Sequence, residues 1–547
     1  MKFRSIFNHL SSEIKITLRT FPATAALIIL ISIILSIVID QKDQNYQFLL
    51  NTMLPFLILW GPGAFLSEVY FPFQKKIRWA FIGFFAAPAL LFVFLAQKND
   101  STFWSIAADP NQYQIARAIL AWWIILFVFG IYGSYRKSGF LFSHFLTRVI
   151  ENITKIGIIA AVLSAGVSLI SLIFIFLILD GKNYDSMIRS QLLINSSVIG
   201  IGFLSSLHNL REEISNFFSI IVKYILCILL IVAFAIIYLY IARIFITQII
   251  PSNEIFRIIA ALFSIGLPIW TMAGYFQEDN LLIRITKKLP YSFIPFLGLQ
   301  AYSIGIRIFE YGLTPLRYLC VVMIIFEAAY ILLYWLKKGQ TELILIIFSI
   351  FTLFALLLPG LNMFSSSIHN QQQSLNKINT APFEQWTPEE QRRIAGAYFF
   401  LKDSNEAKKI LGNFSAEQIS SIENSVQFQK VFNQERNFVH QFTLDGIDIQ
   451  DFRSLSEINY YSDQEPVTLN AVPFTNVEEK SVITVDMSNL FQEFLAVDPK
   501  DEQKMAELSN RLVTKEGDTI YFSLIQFSTD DEGKIVYAFF DGILLKQ

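Results

Sequence analysis

Residues 311–338 read YGLTPLRYLCVVMIIFEAAYILLYWLKK. Between Arg317 and Lys337 the only charged side chain is that of Glu327. A bilayer core about 30 Å thick is crossed by a helix of about 20 apolar residues. The stretch therefore predicts a membrane-spanning helix, with a polar turn before it and two lysines after it.

The same pattern recurs through residues 1–364, which hold nearly all the long uncharged runs of the chain. Eleven candidate spans lie near residues 21–39, 48–67, 79–96, 115–134, 156–179, 192–207, 218–246, 256–275, 291–309, 315–335 and 342–359. The sixth and the ninth are the least apolar. The sequence thus predicts an α-helical polytopic membrane protein with about eleven transmembrane helices.

Charge divides the chain into two parts. The 547 residues are 54% hydrophobic and 16% charged, whereas a soluble protein carries about 25% charged residues. Residues 1–365 hold 27 Lys and Arg against 17 Asp and Glu, a net charge of +10, and the remainder holds 16 against 28, or −12. Because phosphate binding needs a basic face, the acidic tail argues against nucleic acid as a partner.

Basic residues in the connections predict the orientation. With eleven spans, the connections on one side carry 17 Lys and Arg and those on the other side carry four. Cytoplasmic connections are the basic ones, so the N-terminus is expected in the cytoplasm and the C-terminal tail outside it. If one weak span were re-entrant, the tail would lie in the cytoplasm instead.

The tail is predicted to begin with a polar linker at 365–380 and to continue as a soluble α+β domain at 381–547. Thr387 and Glu390 form a capping box around Pro388, and Ser415 begins a second helix in the same way. Residues 519–528 and 535–545 alternate as strands do and predict a terminal hairpin, with a positive φ at the intervening Gly533.

No motif of an enzyme or of a cofactor site occurs. The chain lacks a Walker A loop, an HExxH pair, a nucleophile elbow and an EF-hand loop. Its two cysteines, Cys227 and Cys320, lie inside apolar runs, and no Cys/His zinc spacing exists. Acidic clusters at 445–451 and 530–532 either bind a hard cation or are solvated turns. We expect no cofactor, no metal and a function that is not enzymatic.

The turn between the ninth and tenth spans contains a misplaced cation. Gly312 is expected to end one helix, Thr314 to cap the next and Pro315 to occupy its first position. Arg317 then falls at the third helical position, where the helix dipole disfavours a cation by about 0.3–1 kcal/mol.

Two interpretations of Arg317 remain open. In the first, Glu310 forms an ion pair with it across the turn. In the second, Arg317 and the helix N-terminus bind a phosphate or a carboxylate, and Arg307 supplies a second cation. Arg307, Glu310, Thr314 and Arg317 are therefore the candidate anion or headgroup site.

Ionisable residues within the spans are a second source of candidates, because a charge in hydrocarbon is costly unless it is paired or hydrated. Glu327 lies near the middle of its span on a short side chain. It is either protonated or faces a polar interior. Glu68 and Arg117 lie at span ends, where they are expected to reach lipid headgroups.

The late part of the chain resembles a family of bacterial polytopic membrane proteins of unknown function. The shared features are Leu289 and Pro290 before the ninth span, Arg307 near its end and the Tyr-Gly-Leu-Thr-Pro-x-Arg-Tyr turn at 311–318. GIDIQDF at 446–452 is similar to a recurring element of the family. The resemblance implies a bacterial plasma (inner) membrane, but no reaction, substrate or cofactor.

Two functions fit these features. The first is the handling or transport of an envelope component, a lipid or a polymer precursor, with membrane lipids as partners. The alternative is a membrane sensor or assembly scaffold whose C-terminal domain binds an envelope protein.

Overall fold

A computed structural model of the chain describes residues 13–38, 46–97, 103–107, 113–178, 185–208, 213–247, 254–276, 280–337, 341–403, 407–423, 425, 437–441, 454–462, 472–476, 482–490, 511–513, 518–529 and 535–546. The chain divides into two compact units. The first comprises Met1–Gln371 with Ser404–Ala407, and the second comprises Gln372–Asp403 with Lys408–Gln547.

The first unit is a helical bundle. Its helices are α1 (Glu13–Thr20), α2 (Pro22–Val38), α3 (Leu54–Tyr70), α4 (Lys75–Gln97), α5 (Phe103–Ala107), α6 (Gln114–Ser138), α7 (Phe142–Ile178), α8 (Asp185–His208), α9 (Asn216–Ile220), α10 (Cys227–Thr247), α11 (Glu254–Ala273), α12 (Leu281–Lys288), α13 (Ile294–Tyr311), α14 (Pro315–Leu336), α15 (Ile344–Leu356) and α16 (Met363–Leu375). A π-helical turn at Leu49–Met53 continues into α3, another at Ile221–Leu226 joins α9 to α10, and a 3-10 turn at Leu289–Phe293 joins α12 to α13.

Among the described residues, nine helical segments are long and apolar enough to cross a membrane. They include the sixth and ninth predicted spans, as Met187–His208 and Leu281–Tyr311. A tenth arises if α1 and α2, which meet at an angle of 104°, form one span. The eleventh predicted span is α15, which has only 13 residues. The polytopic helical fold is therefore confirmed, with nine to ten candidate spans.

The bend between α1 and α2 is held by a buried carboxylate. Glu68 of α3 is 1% exposed and accepts hydrogen bonds from the first turn of α2. The donors are the backbone N–H groups of Ala23, at 2.7 Å, and of Thr24, at 3.1 Å, together with the Thr24 hydroxyl at 2.6 Å. Unsatisfied N–H groups at a helix start need such an acceptor. The expectation that Glu68 reaches lipid headgroups is wrong.

Arg117 near the start of α6 is also buried, at 3% exposure, with its guanidinium 4.5 Å from the centre of the Phe364 ring. It too contacts protein rather than headgroups. Two glycines of α8 allow close helix packing. A Cβ atom on Gly200 or Gly202 would lie 2.6 Å from Ile28 or 2.5 Å from Ile156.

The second unit begins at Gln372, which lies inside α16 and inside the stretch predicted as a polar linker. Residues 365–380 are helical instead, because α16 extends to Leu375 and a 3-10 turn covers Asn376–Asn379. The next helices, α17 (Pro388–Asp403) and α18 (Ala416–Glu423), begin at the predicted caps. The Glu390 N–H donates to Thr387 Oγ1 at 3.4 Å, and the Gln418 N–H donates to Ser415 Oγ at 3.2 Å.

A small antiparallel sheet completes the second unit. Its strands are β1 (Asn437–Gln441), β2 (Ser454–Ser462), β3 (Val472–Asn476), β4 (Val482–Val485), β5 (Arg511–Val513), β6 (Thr519–Thr529) and β7 (Ile535–Lys546), in the order β1-β6-β7-β2-β3-β4 with β5 beside β6. The predicted hairpin is the pair β6 and β7. Gly533, the clusters at 445–451 and 530–532, and the element at 446–452 lie outside the described residues.

Candidate functional site

The turn between α13 and α14 has a backbone that requires glycine. Gly312 follows the last residue of α13 with φ +76° and ψ −179°, a conformation that is essentially confined to glycine. Thr314 then caps α14, because its Oγ1 accepts from the Arg317 N–H at 3.5 Å, and Pro315 is the first helical residue. The local roles predicted for Gly312, Thr314 and Pro315 are confirmed.

The guanidinium of Arg317 folds back over the turn. Its Nη1 donates to the Gly312 carbonyl oxygen at 2.9 Å, and its Cζ lies 5.4 Å from the centre of the Tyr311 ring. Among the described residues, no carboxylate oxygen lies within 4 Å of this guanidinium. A carbonyl dipole and a ring face weaken the positive charge of Arg317 without neutralising it.

Glu310 is paired with the other arginine. Arg307 Nη1 lies 3.5 Å from Glu310 Oε2, one turn apart on α13, and the side chains are 31% and 43% exposed. A partly exposed pair of this kind contributes at most about 1 kcal/mol. The direct ion pair between Glu310 and Arg317, one of the two interpretations of the sequence, is therefore absent from this arrangement. The two cations and one anion leave one net positive charge at the turn.

Helix α16 holds the turn from the other side. The Leu313 N–H donates to Asn370 Oδ1 at 2.8 Å. Gln371 Nε2 donates to the Leu313 carbonyl at 3.1 Å and to the Tyr311 carbonyl at 3.3 Å. These two amides lie in the stretch predicted as a linker, so the sequence interpretation missed them. The available signal was the run NQQQ at 370–373, whose amides suit the backbone groups of a turn.

Glu327 lies in the interior of the bundle rather than on its surface. It is 0% exposed, as is Gln300 of α13, and Ser303 is 4% exposed. Gln300 Nε2 donates to Glu327 Oε1 at 3.5 Å, which is long for a hydrogen bond. The carboxyl thus lies inside the bundle beside the Gln300 amide, and both predicted alternatives, a protonated carboxyl and a polar interior, stay predictions.

A cavity of about 700 Å³ opens at the other end of the bundle, beside the connections at 71–74 and 139–141. Lys137, His208 and Glu68 line it together with aromatic residues. Lys137 Nζ donates to the Val69 carbonyl, and the imidazole of His208 meets the Phe21 ring edge-on at 6.4 Å. Its residues come from several helices, and the sequence offered no periodic signal for it.

Within the described residues, no group of three or more His, Cys, Asp or Glu side chains could hold a metal ion. Comparison with known proteins gives no further guide, since no protein-family model, no curated protein and no solved structure matches the chain. The resemblance at residues 289–318 therefore stays a prediction.

Proposed function

We propose that the protein handles an anionic envelope component, a lipid or a polymer precursor, within or across a bacterial inner membrane. The observation that carries the proposal is the arrangement around Arg317. One cation at the turn is neutralised by Glu310, and the other contacts only a carbonyl and an aromatic ring among the described residues. A phosphate or carboxylate is the chemical complement of such a cation at a helix N-terminus.

In this proposal the chain crosses the membrane eleven times, with its N-terminus in the cytoplasm and residues 381–547 as an extracytoplasmic accessory domain. The turn at 311–314 then lies in the outer leaflet. Tyr311 and Tyr318 stand at the level where aromatic side chains favour the interface. The nine to ten apolar helices support the membrane location, and the charge count of the connections supports the orientation.

A specific observation also supports the alternative, a sensor or assembly scaffold. Strand β4 pairs only with β3 among the described strands, and Val482 on it is 64% exposed. An open strand edge can bind an extended segment of another protein. In this alternative, an envelope protein would bind along this edge.

The anion proposal is tested with the full-length protein in detergent and the variant Arg317→Gln. We expect the wild type to retain phosphatidylglycerol over phosphatidylcholine in native mass spectrometry, and Arg317→Gln to lose this preference. Arg243→Gln is the matched control, because Arg243 is an exposed arginine near the predicted outer end of α10.

Competition with inorganic phosphate distinguishes recognition of the phosphate group alone from recognition of the whole lipid. If inorganic phosphate displaces the bound lipid, the turn recognises the phosphate group itself; if it does not, the acyl chains contribute to binding. Equal lipid retention in wild type, Arg317→Gln and Arg243→Gln would refute the anion site and favour the sensor or scaffold function.

A further inference from the structure

The buried pair of Gln300 and Glu327 has an unusual pattern of hydrogen bonds. The amide of Gln300 donates to one carboxyl oxygen, Glu327 Oε1. The two remaining oxygens, Gln300 Oε1 and Glu327 Oε2, are buried and have no hydrogen-bond partner among the described residues. Both are acceptors, so neither can bond to the other without a hydrogen atom between them.

No charge compensates Glu327 within the part of the chain that the structure describes. Among the described residues, no cation lies within 4 Å of its carboxylate oxygens. The titratable or charged side chains described on its own helix and on the elements packed against it are Arg317, Tyr318, Cys320, Tyr330 and Tyr334 of α14, Tyr302, Arg307, Glu310 and Tyr311 of α13, Tyr291 of the preceding 3-10 turn, and Arg257 of α11, whereas α15 has none.

These groups do not reach the carboxyl. Arg317 is ten residues away on the same helix, or about 15 Å along its axis. It is occupied by the Gly312 carbonyl at 2.9 Å. The nearest hydroxyl in sequence, that of Tyr330, accepts a hydrogen bond from Trp270 Nε1 at 2.5 Å.

An ionised Glu327 would therefore be an isolated charge inside the bundle, which is costly without a partner or water. A single proton on Oε2 removes the charge and supplies the missing donor. The carboxyl O–H then donates to Gln300 Oε1 while the amide N–H continues to donate to Oε1 of Glu327. One proton thus satisfies both unpartnered oxygens. We propose that Glu327 and Gln300 form an intramembrane proton-binding site.

Because the pair lies between two helices, binding of the proton affects how these helices contact each other. Gln300 is on α13 and Glu327 on α14, so the acid–amide pair joins the two helices whose connecting turn carries Arg317. Loss of the proton leaves two acceptors facing each other and a charge between the helices, which weakens their pairing. Any coupling of the proton to an anion at the turn rests on the proposed function; the proton site itself does not.

The first test is infrared spectroscopy of the purified full-length protein at neutral pH. The spectrum of wild type minus that of Glu327→Gln should contain the C=O band of a protonated carboxyl. Glu310→Gln is the matched control, because Glu310 is ion-paired and exposed, and its difference spectrum should contain carboxylate bands. Carboxylate bands in the Glu327 difference spectrum would overturn the proposal.

The second test uses hydrogen exchange of α13 and α14 peptides, from mildly acidic to alkaline pH. Glu327→Gln keeps a two-bond pair with Gln300 and has no proton to lose. At alkaline pH we expect the wild type to exchange about tenfold faster than Glu327→Gln in these peptides, and equally fast in acid. Equal exchange at every pH would refute the site.

A third variant covers the case in which Glu327→Gln does not fold. Gln300→Leu leaves the acid in place but removes its acceptor, so the C=O band of the protonated carboxyl should shift. An unchanged band would show that Gln300 takes no part. If the infrared band is present and the lipid preference of the wild type is absent, the proposed anion function fails and the proton site stands.

Discussion

Replacing Gly312 by alanine tests how tightly the turn between α13 and α14 is specified. The glycine backbone, at φ +76° and ψ −179°, costs a residue with a Cβ about 1–3 kcal/mol. The new Cβ would also lie 2.9 Å from Nε2 and from Oε1 of Gln371. The Gln371 amide must then move away from the carbonyls of Tyr311 and Leu313. Two lost hydrogen bonds add about 1–3 kcal/mol, so the expected destabilisation is about 2–6 kcal/mol.

The matched control is Gly305→Ala on the same helix. Gly305 has no atom within 4 Å of the position that a Cβ would take, and its φ is not positive. Alanine is better than glycine in a helix interior by about 0.5–1 kcal/mol. We therefore expect Gly305→Ala to leave the melting temperature unchanged or to raise it slightly.

The assay is thermal unfolding of the full-length protein in detergent, followed by intrinsic fluorescence and by size-exclusion chromatography after heating. Gly312→Ala should melt several degrees below the wild type. The double variant with Gln371→Ala separates the two causes, because it removes the steric clash but not the backbone strain. A Gly312→Ala variant that melts with the wild type, or a Gly305→Ala variant that is equally damaged, would refute the reasoning.

Four further predictions concern other parts of the chain. Glu68→Ala leaves two buried N–H groups of α2 unsatisfied and should cost about 2–6 kcal/mol, measured by the same melting assay; an unchanged melting temperature would contradict the capping role. A fragment of residues 372–547 should be soluble and should melt above a fragment of 381–547, because the shorter one lacks the buried Ile378 and the ion pair of Lys377 with Glu390; the reverse order in calorimetry would refute this. In the longer fragment, the hydrogen bond from Lys402 lowers the pKa of Glu423. The stability that this carboxylate contributes is therefore present above its unfolded pKa of about 4.3 and is lost as the pH falls through the lower folded pKa. Glu423→Gln should make the melting temperature fall less steeply with acid than in the wild type, and an identical fall in both proteins would exclude the effect. A periplasm-active reporter fused after Gln547 should be active; activity of a cytoplasm-only reporter there would overturn the orientation.

Local signals of the sequence were sufficient for the helix starts and the terminal hairpin. A cap or a hairpin is specified within a few residues, so Thr314, Thr387 and Ser415 could each be identified from the residues that follow them. The apolar runs gave the helical membrane fold for the same reason, since the length of a run is a local property.

The partners of polar residues were not available from local patterns. Glu68 contacts residues 44 and 45 positions away, and Gln371 contacts the turn 58 and 60 positions away. Composition alone predicts that Glu68 reaches lipid headgroups and that Gln371 belongs to a linker. Both assignments failed because the deciding contacts are between helices. The choice of the arginine that pairs with Glu310 also depends on the direction of the side chains. Arg307, one turn away on the same helix, lies close enough to form the ion pair.

The contacts around helix α15 bear on whether this short helix crosses the membrane, which its hydropathy and length do not establish. Its 13 residues rise about 20 Å, less than the bilayer core of about 30 Å, so its length alone does not establish a crossing. The contacts after it are more informative. Helix α14 runs from the turn at 311–314 to Leu336, about 33 Å away along its axis. The chain then continues through α15 and returns to the same turn, where Asn370 and Gln371 bond to Leu313 and the Tyr318 hydroxyl donates to the Leu361 carbonyl.

A chain that leaves the far end of α14 and returns to its near end has traversed the bundle, whatever the length of the helix that does so. The segment that follows α15 therefore lies at the same end of the bundle as the turn. The stacking of Phe364 on Arg117, near the start of α6, agrees, because the charge count puts that end of α6 on the same side. This supports the eleven crossings of the proposal. The turn and the end of the first unit lie at the same end of the bundle. The reporter fused after Gln547 therefore tests on which side of the membrane both of them lie.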